Sequence, residues 1–158
     1  VADPATAGDD YVSRQRVAGW LPPLVAAGVT VTAVNVAENT DQDAYDGAQL
    51  ILEAEPRPTA ILCFSDLMAL AAVHAAQDLG LRVPEDVSVI GFDDSPMARR
   101  VRPALTTVRQ DLTAKGHAAA TLLMAAIERS RGGGAPVADQ VRIPTELVVR
   151  RSTGPAPV

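Results

Sequence analysis

Up to Asp94 the chain switches three times from apolar residues at helical spacing to a short, unbroken aliphatic run. After Gly8-Asp9-Asp10 a helical pattern covers residues 11–27, with Asp9 or Asp10 placed to cap it and Gly28 to stop it. Residues 29–36 are β-branched and read as a strand. A second helix is predicted over residues 41–53, with Ala44, Ala48, Leu50, Ile51 and Leu52 near one side and Pro56 and Pro58 beyond its end. Residues 59–64 read as a buried strand. Ser65 or Asp66 then caps a helix that runs to Leu79, and Gly80 ends it. Pro84 leads into a strand over residues 87–92. An α-β-α-β-α-β order with short connections predicts a parallel sheet with helices on both faces, because βαβ crossovers are right-handed.

The pattern changes after Asp94. Residues 95–103 read as a loop or one helical turn, and residues 105–108 as extended. A long helix over residues 112–129 turns Leu122, Leu123, Ala126 and Ile127 toward a partner. Gly132-Gly133-Gly134 breaks the chain, short strands follow at residues 140–143 and 146–150, and the tail from Ser152 is expected to be disordered.

Composition narrows the function. Hydrophobic residues make up 47% and aromatics only 3%, so the core must be built from Ala, Val and Leu, which suits a buried parallel sheet. The net charge is −5 and Lys115 is the single lysine, so these residues offer no clustered positive surface for reading DNA. Cys63 stands alone, which rules out an internal disulfide and points to a reducing compartment. Apolar runs fall short of the ~18 residues of a membrane span. His74 and His117 are far apart and lack ligand-spaced partners, so no metal is expected. Arg131-Gly132-Gly133-Gly134 follows a helix and lacks a phosphate-binding lysine, and no dinucleotide glycine pattern follows a strand, so no cofactor is expected. No nucleophile–base constellation speaks for an enzyme. The chain begins at Val1 without a methionine, which reads as an internal or C-terminal piece of a longer protein.

The polar residues at strand ends carry the candidate chemistry. Asp93 falls at the C-terminal end of the strand over residues 87–92, the edge at which open parallel sheets bind ligands. A carboxylate there accepts hydrogen bonds from hydroxyls or amines. Asp94 points away from its neighbour, as successive residues on an extended chain do, so the two are not an acid–base dyad and Asp94 is expected to fix the following loop. Arg16 offers a rigid fork of donors to a carboxylate, phosphate or vicinal diol, and equally suits a solvated helix face or a salt bridge to Asp9 or Asp10. Ser65 either caps its helix alone or also holds backbone N–H groups near a ligand. Gln110 is either a solvated residue after a strand or a contact at a hinge.

Taken together, Arg16-Val-Ala-Gly19, Pro58-Thr-Ala60, Ser65-Asp-Leu-Met-Ala-Leu70, Leu79-Gly-Leu-Arg-Val-Pro-Glu-Asp-Val-Ser-Val-Ile-Gly-Phe-Asp-Asp94, Pro103-Ala-Leu-Thr-Thr-Val-Arg-Gln110 and Pro144-Thr-Glu-Leu-Val-Val-Arg-Arg-Ser152 occur in order. This series resembles the effector-binding domain of the lactose-repressor (LacI/GalR-type) family of bacterial transcription regulators, over nearly the whole chain. The resemblance implies a periplasmic-binding-protein-like α/β fold of two lobes with a ligand cleft between them. Residues 1–107 would form most of the C-terminal lobe, residues 108–136 a hinge crossing and a helix of the N-terminal lobe, residues 137–153 the returning strands, and residues 154–158 a disordered tail. It implies effector contacts at Arg16, Ser65, Asp93 and Gln110, a sugar or similar polar metabolite as effector, a homodimer, a cytoplasmic location, and DNA binding by a domain before Val1. Ser65 stands where the family usually carries Asn or Asp, and Ala71 where many relatives carry Gly; the shorter Ser65 implies a different effector or cleft. The alternative reading is a secreted sugar-binding protein of a transporter with a similar fold.

Overall fold

Ala44, Ala48 and Leu52 recur every fourth residue on one helix, and this stripe is where the core begins. A computed structural model describes residues 11–32, 40–135 and 140–157. Helix α1 spans Tyr11–Ala26 and buries no residue. Gly28 closes it with a φ of 71°, a conformation open to glycine because it has no Cβ. Asp9 and Asp10 lie outside the described residues, as do residues 33–36 of the strand expected over 29–36. Residues 29–32 form no strand pairing.

Helix α2 spans Asp41–Leu52, and the Thr40 hydroxyl caps it by accepting from the Asp43 N–H at 3.1 Å. Leu50, expected on the buried side, is 52% exposed, since it lies off the stripe set by Ala44, Ala48 and Leu52. After strand β1 (Ala60–Leu62), helix α3 spans Asp66–Asp78. Its cap is Ser65, whose Oγ accepts from the Met68 N–H at 3.2 Å. The buried face of α3 is almost all alanine, with Val73 its largest member. Such small side chains let it lie close to α2 on one side and to the sheet on the other.

Strand β2 is Ser88–Asp93, β3 is Thr106–Gln110 and β4 is Thr145–Val148. Helix α4, Leu112–Arg131, links β3 toward β4, with Asp111 accepting from the Ala114 N–H at 2.8 Å as its cap. The strand order is β1-β2-β3-β4. The first three strands are parallel, with Ile61 opposite Val89 and Gly91 opposite Thr107. β4 runs antiparallel to β3, with Val108 opposite Leu147. The sheet is therefore mixed: the parallel part is β1 to β3, and β4, whose direction the aliphatic pattern did not specify, adds an antiparallel edge. The core comprises Leu52, Ile61, Val73, Val87, Val89 and Leu105 with the alanines of α3. No described helix is long and apolar enough to cross a membrane.

Two further expectations fail. Residues 140–143 form no strand, and β4 starts only after Pro144, which has no N–H to give to a ladder. The tail is not loose where it leaves β4. Ser152 is fully buried; its Oγ donates to the Val89 carbonyl at 2.6 Å and accepts from the Thr106 N–H at 2.8 Å. Thr153 shares a 2.9 Å hydrogen bond with Thr106, and the Gly154 N–H reaches Ser88 Oγ at 3.1 Å. β2 enters the sheet ahead of β3, since Ile90 is already opposite Thr106, and the tail fills the space that leaves beside Val89. Unmet backbone groups draw in a segment with little hydrophobic signal of its own.

Candidate functional site at the carboxyl ends of the strands

Ser65, Asp93 and Gln110 all lie at or just past the carboxyl ends of parallel strands, one each for β1, β2 and β3. The ladder sets Asp93 opposite Arg109, so Gln110 stands one residue further out. Gln110 Nε2 donates to Asp93 Oδ1 at 2.7 Å, and Lys115 Nζ lies 3.5 Å from Gln110 Oε1. Arg16 comes from α1. Its guanidinium carbon sits 3.9 Å from the centre of the Phe92 ring, and its Nη1 donates to the Phe64 carbonyl. Phe92 precedes Asp93 and Phe64 precedes Ser65, so Arg16 is brought to the same rim as the other three. A guanidinium over an aromatic face keeps its charge while its plane is held. Trp20, one turn further along α1, stacks on Phe64 with 5.3 Å between ring centres. α1 buries no residue and is seated by these aromatic contacts. Aromatics make up only 3% of the chain, and Trp20, Phe64 and Phe92 come from three separate segments, so the sequence gives no local sign of this platform.

Asp94 behaves as expected of a residue that fixes a loop, with more partners than the sequence indicated. Its side chain is 2% exposed and meets Arg109 at 2.7 Å, Arg150 at 2.5 Å and Arg99 at 3.3 Å. Burial alone would raise its pKa. Hydrogen bonds from Arg150, Arg109 and Arg99 outweigh that and hold the carboxyl down at about 2. Asp93 and Asp94 both have positive φ, 116° and 55°. Non-glycine residues rarely adopt such angles, and they persist where surrounding contacts impose them.

The rim is open. A recess of about 270 Å³ lies at the other end of the sheet, among Arg57, Pro58, Thr59, Leu81, Asp86 and Pro157, ahead of β1 and β2. Beside Gln110 and Lys115 lies a hollow of about 20 Å³, also lined by Asp111 and Thr145. One such rim can bind one side of a polar ligand. Among the described residues no cluster of three His, Cys, Asp or Glu is placed to hold a metal ion. Cys63, the residue after β1, is 8% exposed. Burial first, and the Asp66 carboxylate second, push its thiol up to about 12. In the folded protein Cys63 is expected to resist a disulfide reagent at pH 8 and to react fully once denatured. Rapid stoichiometric labelling of the native state would contradict this placement.

Residues 2–153 match the family of periplasmic-binding-protein-like domains. The transcriptional regulator MalR of Streptomyces coelicolor is 52% identical over 99 residues, which are 63% of this chain and 28% of MalR. The structure of a LacI-family transcriptional regulator from Bifidobacterium animalis superposes with a TM-score of 0.78 at 32% identity, covering 91% of this chain and 51% of that one. The complex of the regulator CelR with cellobiose also gives 0.78 at 32% identity, covering 92% of this chain and 44% of that one. The chain thus spans about half or less of the proteins it matches. These relatives are regulators, which disfavours the transporter reading.

Proposed function

Since the chain belongs to the periplasmic-binding-protein-like domain family, in the company of LacI-type transcriptional regulators, we propose that it is the effector-sensing part of such a regulator and takes a sugar or similar hydroxylated metabolite at the carboxyl rim of its sheet. The observation that carries this reading is the Asp93–Gln110 hydrogen bond of 2.7 Å, with Arg16 laid over the adjoining Phe92. The carboxylate accepts from ligand hydroxyls, the amide both donates and accepts, and the guanidinium donates; a polyol needs that mixture. Ser65 supports the set with a hydroxyl that already caps α3 through its lone pair and still has a proton to donate. CelR, whose complex contains cellobiose, makes a disaccharide a fitting first probe.

Residues 1–107 would then belong to one lobe, residues 108–136 would cross to the other, and residues 137–153 would return. α4 supports this division: it buries no residue and leaves Leu112, Leu123 and Met124 more than half exposed. A second lobe closing over the rim would add the opposite wall of the cleft. The protein would act by binding, without turnover, as a homodimer in the cytoplasm. DNA would be contacted by a domain outside these residues, since this one is acidic. An effector that prefers one of two lobe arrangements shifts the equilibrium between DNA-binding states.

Calorimetric titration of the intact protein with cellobiose, maltose and lactose tests this. One of these is expected to bind saturably, and Arg16→Ala or Asp93→Asn to weaken it by about tenfold or more, the loss typical of a charge-assisted hydrogen bond. Binding unaffected by both substitutions, or no binding of any neutral saccharide, would overturn the reading.

A further inference from the structure

Among the described residues, one buried carboxylate remains without a role in binding or in the ion cluster. Asp66, at the first position of α3, is 4% exposed. Both of its oxygens are taken. Thr107 Oγ1 donates to Oδ1 at 2.5 Å, and the Ser95 N–H donates to Oδ2 at 2.6 Å. Thr107 Oγ1 also lies 3.4 Å from the Asp94 N–H as an acceptor. Asp66 thus joins β3, through Thr107, to the backbone that leaves β2 just after Asp93 and Asp94. It does so at close quarters. β2 carries glycine at position 91, where a Cβ would run into Asp66 Oδ1 and lie 2.8 Å from Leu105 Cδ2. Only a residue without a side chain lets the carboxylate come this near the strand.

The two residues held between these anchors are the ones with φ of 116° and 55°. The three arginines grip Asp94 through its carboxylate; Asp66 holds the Ser95 N–H directly, and Thr107, itself bonded to Asp66, accepts from the Asp94 N–H. A left-handed turn at a non-glycine residue is retained when its surroundings over-determine it. Relaxed to ordinary φ, the turn would swing Asp93 out of line with Gln110. We propose that Asp66, acting with Thr107, is a positioning residue that imposes this backbone on Asp93 and Asp94 and so aims the Asp93 carboxylate at the ligand. The aiming rests on the effector-binding reading above; the backbone clamp does not.

Asp66→Asn and Thr107→Val in the intact protein separate the two. Asparagine has one oxygen and one NH₂ group and so cannot accept from Thr107 and from the Ser95 N–H with separate oxygens as the carboxylate does, and valine keeps threonine's shape without its hydroxyl. Amide exchange at Asp94 and Ser95 is expected to rise by about tenfold or more in both variants, and to stay within about twofold of the parent in Thr107→Ser. Cellobiose affinity is expected to fall by about tenfold in each, with the double variant losing little beyond either single one, as for residues that act as one unit. Unchanged exchange at Ser95 would overturn the clamp whether or not cellobiose binds. Faster exchange with cellobiose affinity intact would overturn the aiming. If the parent binds none of cellobiose, maltose and lactose, the effector reading and the aiming fall together, and the exchange result alone decides the clamp. Should Asp66→Asn fail to fold, Thr107→Val carries the same readouts.

Discussion

Asp94→Ala is expected to destabilise the protein by about 3–5 kcal/mol, the range for removing one partner of a buried ion pair. The loss comes from what is left behind. Arg150 is only 14% exposed at its side chain and would keep its hydrogen bond to the Leu105 carbonyl while losing the carboxylate at 2.5 Å. Arg109 is 40% exposed and retains Glu146 at 2.9 Å, so it suffers less. Arg99 is 64% exposed and its contact is 3.3 Å long, so Arg99→Ala should cost well under about 1 kcal/mol, as exposed pairs do. Urea denaturation of the two variants measures the contrast. Equal losses in both would mean that exposure does not govern this cluster.

The same carboxylate sets a pH dependence whose sign follows from its depressed pKa. Folded, Asp94 titrates at about 2, against an ordinary value of 3.8. Between those values the unfolded chain takes up a proton that the folded protein refuses, so acid favours unfolding. The contribution is fully present above pH 4 to 5 and is lost as pH falls through about 2; its size is about 2 kcal/mol. The stability gap between the parent and Asp94→Ala should therefore narrow by about that amount between pH 5 and pH 2. Asp86, also held at about 2 by Arg82, is present in both proteins and cancels in the comparison.

Ser152→Ala is expected to cost about 2–4 kcal/mol, because one hydroxyl satisfies two buried backbone groups at once. Removing it leaves the Thr106 N–H and the Val89 carbonyl each short of a partner at 2.8 Å and 2.6 Å. The Ser152 carbonyl still accepts from the Val89 N–H at 2.8 Å in the variant, so the segment is weakened and not released. For a chain of this length the melting temperature should fall by roughly 5 to 15 °C. Thr153→Val, which gives up one partly buried bond to Thr106, should cost about 1 kcal/mol. A change under about 0.5 kcal/mol for Ser152→Ala in a thermal scan would mean that the tail is not seated as described.

Local chemistry determined much of this molecule in advance. Alternating helical and aliphatic patterns place α1, α2, β1, α3 and β2 within a few residues of where they form, because each depends on neighbours along the chain: Thr40 and Ser65 as caps, Gly28 and Gly80 as stops, Ala44, Ala48 and Leu52 as a stripe. The same patterns put Asp93 and Gln110 at strand ends, and the ladder brings them into contact. What belongs to the tertiary structure alone are the contacts between segments far apart in the chain. Direction of pairing made β4 antiparallel, a choice on which an aliphatic run is silent. Unmet donors and acceptors on Val89 and Thr106 captured Ser152, which reads locally as one more polar residue of a loose end. Convergence of Arg99, Arg109 and Arg150 turned Asp94 from a turn residue into the centre of an ion cluster, and Gly91 let Asp66 come up against β2. Each is a long-range event, governed by which buried polar group lacks a partner once the sheet has closed, and that is known only when the strands have met.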